Sequence, residues 1–251
     1  MNVSNGFYRS INNTITFNKT TDSGLASLEP GKEGESKFSF SSFGVGTVTG
    51  SGLSNPTISL DFSVKGHRVD FAVGQEDVLF SESRKIKITS NPQLFAKALY
   101  FVGPFQNSGP IPPKAEQETM YTITWTVTNP LNNVSGARVS TVLPPYVKWL
   151  GQINPANEQV DYDESTGAVV WNVGSVSAGA GTVSPAREVS FQISFLPSVD
   201  QIGKTPDLTS EASLTAKDNF TLTPVSDSFT ILNTRLTNDP YFKVNNDTVT
   251  Q

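Results

Sequence analysis

Asp161, Asp163 and Glu164 are the densest group of oxygen ligands in the chain. Calcium takes roughly six to eight oxygens, chiefly loop carboxylates and carbonyls, so these three are the candidate calcium site. EF-hand spacing is absent, and Asp163-Glu164-Ser165-Thr166-Gly167 reads equally as a solvated hairpin turn. Glycoside hydrolysis needs two carboxylates facing each other across a cleft. Here all three share one short hairpin. His67 is the only histidine and cysteine is absent. A catalytic triad would need His67 beside a serine and a carboxylate, on a sharp nucleophile turn. No Gly-x-Ser-x-Gly occurs. One histidine also falls short of the nitrogen and sulfur ligands of a zinc site. The expectation is a non-enzyme with no cofactor, calcium at the acidic hairpin being the one open case.

Trp125, Trp149 and Trp171 are the aromatic candidates for stacking on a sugar. Trp125 alternates in phase with Tyr121, Ile123 and Val127, which turns it to a core. Trp149 follows Pro144-Pro145 near a strand end, and is the candidate ligand-binding residue. A Lys–Asn isopeptide crosslink would need a lysine on a core strand, and Tyr121–Thr128 carries none.

The elements that must hold these residues are strands. Tyr121-Thr122-Ile123-Thr124-Trp125-Thr126-Val127-Thr128 alternates large apolar residues with threonines, and Val189–Phe195 and Ile58–Lys65 repeat the pattern. No window sustains helical spacing. The spacing predicts strands near Tyr8–Phe17, Ser36–Phe43, Thr57–Lys65, Arg68–Val73, Val78–Phe80, Lys85–Ser90 and Leu94–Val102. A tight reversal is expected at Lys65-Gly66-His67, and Gly44–Gly52 reads as a connection. A second run follows from Thr119 to Ile231.

Between the two runs, Gly103–Pro113 carries four prolines, which cannot donate ladder hydrogen bonds. The expected fold is all-β, two tandem immunoglobulin-like antiparallel sandwiches joined by a Pro-rich linker. The boundaries are 1–105 for the first sandwich, 106–114 for the linker, 115–236 for the second, and 237–251 for a C-terminal tail.

Of the 251 residues, 36% are hydrophobic and 16% charged, with a net charge of −5. An acidic chain lacks the basic patch that nucleic acid or an anionic membrane requires. No apolar run is long enough to span a bilayer, and the N-terminus lacks a signal-like core. Membrane attachment is therefore expected only through an anchor absent from this chain.

Tyr121–Asn129, Val142-Leu143-Pro144-Pro145-Tyr146-Val147 and the run Tyr162–Gly174, with its Trp171-Asn172-Val173-Gly174, resemble a repeat domain of unknown function. That domain recurs in bacterial cell-surface proteins as an immunoglobulin-like sandwich. Gly103–Lys114 and Asp239-Pro240-Tyr241-Phe242 resemble the end of two-sandwich surface proteins of small-genome bacteria. The resemblance implies external display, with no catalytic residues to carry over. The functional expectation is an extracellular structural or adhesive module, a rigid spacer or display scaffold. The alternative is a glycan- or peptide-binding module using loops or an exposed sheet edge. Expected partners are other surface proteins or glycans.

Overall fold

The alternation at Tyr121–Thr128 becomes a central strand whose inward residues Tyr121, Ile123, Trp125 and Val127 are fully buried. The computed structural model describes residues 2–40, 54–68 and 77–251. The chain divides into two units, Met1–Thr47 and Val48–Gln251.

The first unit holds four short strands, β1 (Asn2–Val3), β2 (Phe7–Arg9), β3 (Thr14–Thr16) and β4 (Phe38–Ser39). β2 and β3 form a hairpin and β1 pairs with β4. None of the unit's described residues is buried.

The second unit opens with an antiparallel ribbon, β5 (Thr57–His67) against β6 (Asp77–Lys87). The reversal expected at Lys65-Gly66-His67 does not occur there, because β5 runs on through His67, which pairs with Asp77. The strand expected at Arg68–Val73 lies, Arg68 apart, outside the described residues. Residues 41–43 and the connection Gly44–Gly52 lie outside them too.

The sandwich follows. Its strands are β7 (Gln93–Leu99), β8 (Thr119–Thr128), β9 (Val134–Val142), β10 (Val147–Asn154), β11 (Val160–Asp163) and β12 (Ala168–Val176). They continue as β13 (Arg187–Phe195), β14 (Asp207–Thr209), β15 (Ala212–Asp218), β16 (Pro224–Phe229) and β17 (Leu232–Asn233). One sheet has the order β10-β13-β8-β7 and the other β11-β12-β9-β15-β16, with a small β14–β17 pair beside them. All named pairings are antiparallel, and the chain repeatedly crosses from sheet to sheet, as in immunoglobulin-like sandwiches.

Between the sheets, Trp125 meets Phe191 edge-to-face at 4.9 Å. Trp171 is equally buried and donates from Nε1 to Glu158 Oε2 at 2.7 Å. The Arg187 guanidinium holds the same carboxylate at 2.7 Å. Glu158 thus satisfies an indole and a cation at the sandwich edge.

Three expectations of domain layout change. Among the described residues, no sandwich forms before residue 93: the ribbon has no facing sheet, and the first unit has no buried core. Gln93–Leu99, expected in the first sandwich, is instead the edge strand of the second, in register with β8 from Gln93↔Thr128 to Leu99↔Thr122. The proline segment does not bridge two sandwiches. It lies along β8, where Met120 N–H donates to Ser108 O at 2.8 Å and Thr119 Oγ1 to Pro110 O at 3.1 Å. Gly109 sits at φ +107°, and a Cβ there would collide with the Glu118 carbonyl, so only glycine lets the segment lie this close. Residues 237–251 are likewise docked rather than a free tail, with Val249, Asp239 and Asp247 buried.

With Trp125 fully buried in the core, Trp125→Ala should lower unfolding stability by about 3–5 kcal/mol in urea melts. A loss below about 1 kcal/mol would contradict this packing.

Candidate functional site

Asp161 and Asp163 alternate along β11 on its exposed side, and Glu164 begins the turn. Asp161 Oδ2 accepts from Asn172 Nδ2 at 2.8 Å. Asp163 Oδ1 accepts from the Ser165 hydroxyl at 2.7 Å and the Ser165 N–H at 2.9 Å. These bonds, the hydroxyl foremost, hold its carboxyl below the usual aspartate range. Gly167, at φ +70°, closes the turn against the Leu143 carbonyl, where a Cβ would come within 2.7 Å. Among the described residues, no three His, Cys, Asp or Glu side chains gather as metal ligands.

Trp149 is half-buried. Its ring stacks on Tyr162 at 5.6 Å and leans on Phe191 at 5.0 Å, closing the sandwich edge between β10 and β11. His67 lies on the exposed ribbon with Nδ1 2.5 Å from Asp77 Oδ1, on a strand rather than a turn. Trp149 meets the acidic hairpin only through the inward Tyr162, while Asp161 and Asp163 turn to the exposed side of the strand and His67 pairs with Asp77 on the ribbon.

The concentrated polar chemistry lies at the two ends of the sandwich. At the end where the chain arrives from the ribbon, the Asp218 carboxylate is fully buried at the close of β15. Oδ2 accepts from Ser90 N–H and Asn132 Nδ2, each at 2.7 Å. Oδ1 accepts from Phe220 N–H at 2.7 Å and Thr221 N–H at 2.9 Å. Burial alone would push this carboxyl up, and the four donors together outweigh it and hold the group below its ordinary range. Asn132 also donates to Ile88 O at 2.8 Å and accepts from Asn55 N–H at 3.0 Å. Buried Asn129 takes the Ser90 hydroxyl and donates to Asn132 O at 2.6 Å. Lys87 donates to Phe220 O at 2.9 Å and sits over the Phe220 ring at 4.7 Å. The ribbon's base is thereby tied to the sandwich.

At the opposite end, the buried carboxylate of Asp239 accepts from Tyr100 and Phe101 N–H groups, both at 2.8 Å. Thr250 N–H donates to Pro113 O at 2.8 Å, and Ala115 N–H donates back to Thr250 O at 2.9 Å. Val249 is held by Gly203 and Lys204 in the same way. Arg235 Nε pairs with Asp247 at 2.7 Å. Asp247 follows the logic of Asp218: burial raises its carboxyl, while the Arg235 bond and charge, with local donors, bring it below the ordinary range.

Sequence reasoning missed both ends. For Asp218 a signal existed, since Ala212, Leu214, Ala216 and Asp218 share one phase of β15 and so one inward face. Asp239 had none, because its partners are some 138 and 139 residues away in sequence.

No protein-family model matches the chain. No curated protein matches it either. Among solved structures, the major pilin subunit BcpA of Bacillus cereus aligns over 71% of this chain and 69% of its own, at 9% identity and TM-score 0.34. The C-terminal domain of the Streptococcus agalactiae antigen I/II polypeptide BspA aligns over 70% and 59%, at 14% identity and TM-score 0.34. The RrgA Jo.In complex aligns over 46% and 70%, at 10% identity and TM-score 0.31. The chain spans about half of another BcpA structure that it matches, and a third of the pilin SpaD of Corynebacterium diphtheriae. At such scores the fold rests on the strand order and core given above.

Two measurements check this reading. Asp218 is depressed in the folded chain, so its contribution is present above the unfolded value near pH 4 and is lost as pH falls through the lower folded value. Stability should therefore drop as the pH falls below about 4, and Asp218→Asn should be less stable at neutral pH with a shallower acid limb. An unchanged limb would remove Asp218 as its source. Calcium at the acidic hairpin would raise the melting temperature over a chelated sample. With the carboxylates of Asp161 and Asp163 already bonded, the expected shift is less than about 1 °C at millimolar calcium.

Proposed function

We propose that this chain is a non-catalytic structural or adhesive module of a bacterial surface, working as a spacer that holds its N-terminal ribbon away from its C-terminal segment. The observation that carries this reading is the position of the two lashed ends. Ser90, leading into β7, lies beside Asn129 at the end of β8, while Thr250 lies beside Lys114, just ahead of the start of β8. The chain arrives at one end of the sandwich and its last segment is clamped at the other. β8 has ten residues, which at ~3.3 Å each separates the ends by roughly 30 Å.

This layout suits tension. A pull between the ends runs along the strands, so the seven register pairs of β7 with β8 are loaded together in shear rather than opened one at a time. Each end is fixed by charge-assisted bonds to a buried carboxylate, the stronger class of hydrogen bond. Trp149 belongs to the sandwich edge in this reading, so Trp149→Ala is expected to cost stability and not to define a glycan site.

External display is tested by protease shaving or antibody labelling of intact cells that express the full-length protein. Labelling without lysis is the expected outcome. Labelling that appears only after lysis would overturn the surface assignment. In force spectroscopy, Asp239→Ala should lower the unfolding force by freeing the clamp at Tyr100 and Phe101.

A further inference from the structure

The ribbon uses the same alternation as the sandwich strands, with a different result. Ile58, Leu60, Phe62 and Val64 of β5 share a face with Val78, Phe80, Glu82, Arg84 and Ile86 of β6, as their register pairs show. Phe62, Val64, Val78, Phe80 and Ile86 remain 41–62% exposed. The opposite face carries Ser59, Asp61, Ser63, Lys65, Ser81, Ser83, Lys85 and Lys87, with the exposed Leu79 as its one large apolar residue. A two-stranded ribbon is at best marginally stable in water until a second layer covers its apolar face. Exposed apolar patches of this kind mark interaction surfaces.

We propose that this face packs against the same face of a second copy of the chain, forming a four-stranded, two-layer interface. The argument for a copy is self-complementarity. A two-fold axis between the layers, crossing the ribbon at the Asp61–Ser83 rung, sets β6 over β6 and β5 over β5 in opposite directions. Glu82 then faces Arg84 of the second copy, and Arg84 faces its Glu82, as an isologous interface requires. Phe62 faces Leu60 of the copy. The Val64–Phe80 rung faces the Ile58–Ile86 rung. Every apolar position of this stretch meets an apolar one, and the central charges meet their opposites. Within one chain Glu82 and Arg84 already pair at 2.6 Å, so each copy brings a preassembled half of a four-charge cluster.

The size is adequate for a weak, concentration-dependent dimer. About that axis nine residues of each strand overlap, Thr57–Lys65 on β5, and at ~3.3 Å each, with two strands and their side-chain flanks, they give ~400 Å² per copy, or ~800 Å² in total, the range of weak, transient interfaces. The inference does not depend on where the protein is displayed.

The test is sedimentation equilibrium of the full chain from ~10 µM to ~1 mM, a range suited to an interface of that size. The mass is expected to rise from 27.1 kDa toward twice that value. Glu82→Arg and Arg84→Glu should each weaken association at least ~10-fold, because each sets like charges face to face. An equimolar mixture of the two single variants should restore it, and so should both changes in one chain. Lys85→Glu, on the opposite face, should leave it unchanged. Circular dichroism confirms that each variant is folded, and restoration in the mixture itself excludes misfolding as the cause. A monomer throughout the range would overturn the proposal, as would a dimer indifferent to both reversals or a mixture that fails to reassociate.

Discussion

Asp218 places a negative charge where no water reaches, and the neighbouring structure is arranged to satisfy it. A buried carboxylate is tolerated only when several donors converge on it. Those donors come from three separate stretches: Ser90 ahead of β7, Asn132 ahead of β9, and the Phe220–Thr221 turn after β15. Meeting the requirement brings these segments to one end of the sandwich. Because Ser90 is among them, Gln93–Leu99 starts in position to pair with β8. Because Asn132 also reaches Ile88 and Asn55, both legs of the ribbon are held at the same place.

The other end uses the same device with the roles of sequence and space reversed. Asp239 arrives from the far end of the chain and takes the first free amides after β7. The proline segment is stiff for the reason its composition suggests, but it is laid on the sheet instead of spanning a gap. Asn107 is central to this, since its amide donates to Thr122 Oγ1 at 3.0 Å and its carbonyl accepts from Gln192 at 2.9 Å. Thr122 and Gln192 are consequently buried although they occupy the polar phase of β8 and β13. Thr124 and Ser190 settle their hydroxyls against each other at 2.8 Å.

The ribbon and β8 show how little alternation says about burial. Ile58–Val64 and Tyr121–Val127 have nearly the same pattern, yet the second is sealed on both faces and the first on neither. Alternation encodes which residues share a face. Whether a second layer exists to cover that face depends on the rest of the chain, and for the ribbon it calls for a partner.

The sequence alone determined the all-β class, the alternating strands at Tyr121–Thr128 and Val189–Phe195, the inward direction of Trp125, and the glycine-closed hairpin at Asp163–Gly167. Each depends on neighbours within a few residues, through the two-residue period or local turn chemistry. The candidate site was legible only in part: the acidic hairpin and Trp149 were found, but their local partners were not. Only the tertiary structure decided that Gln93–Leu99 joins the sandwich, that the proline segment and residues 237–251 are bound to it, and that Asp218 and Asp239 anchor its ends. The proline segment docks on β8 through bonds spanning 9 to 15 positions, whereas the anchors at Asp218 and Asp239 draw donors from 86 to 139 positions away. A one-dimensional pattern carries no record of which distant donor will meet a buried charge.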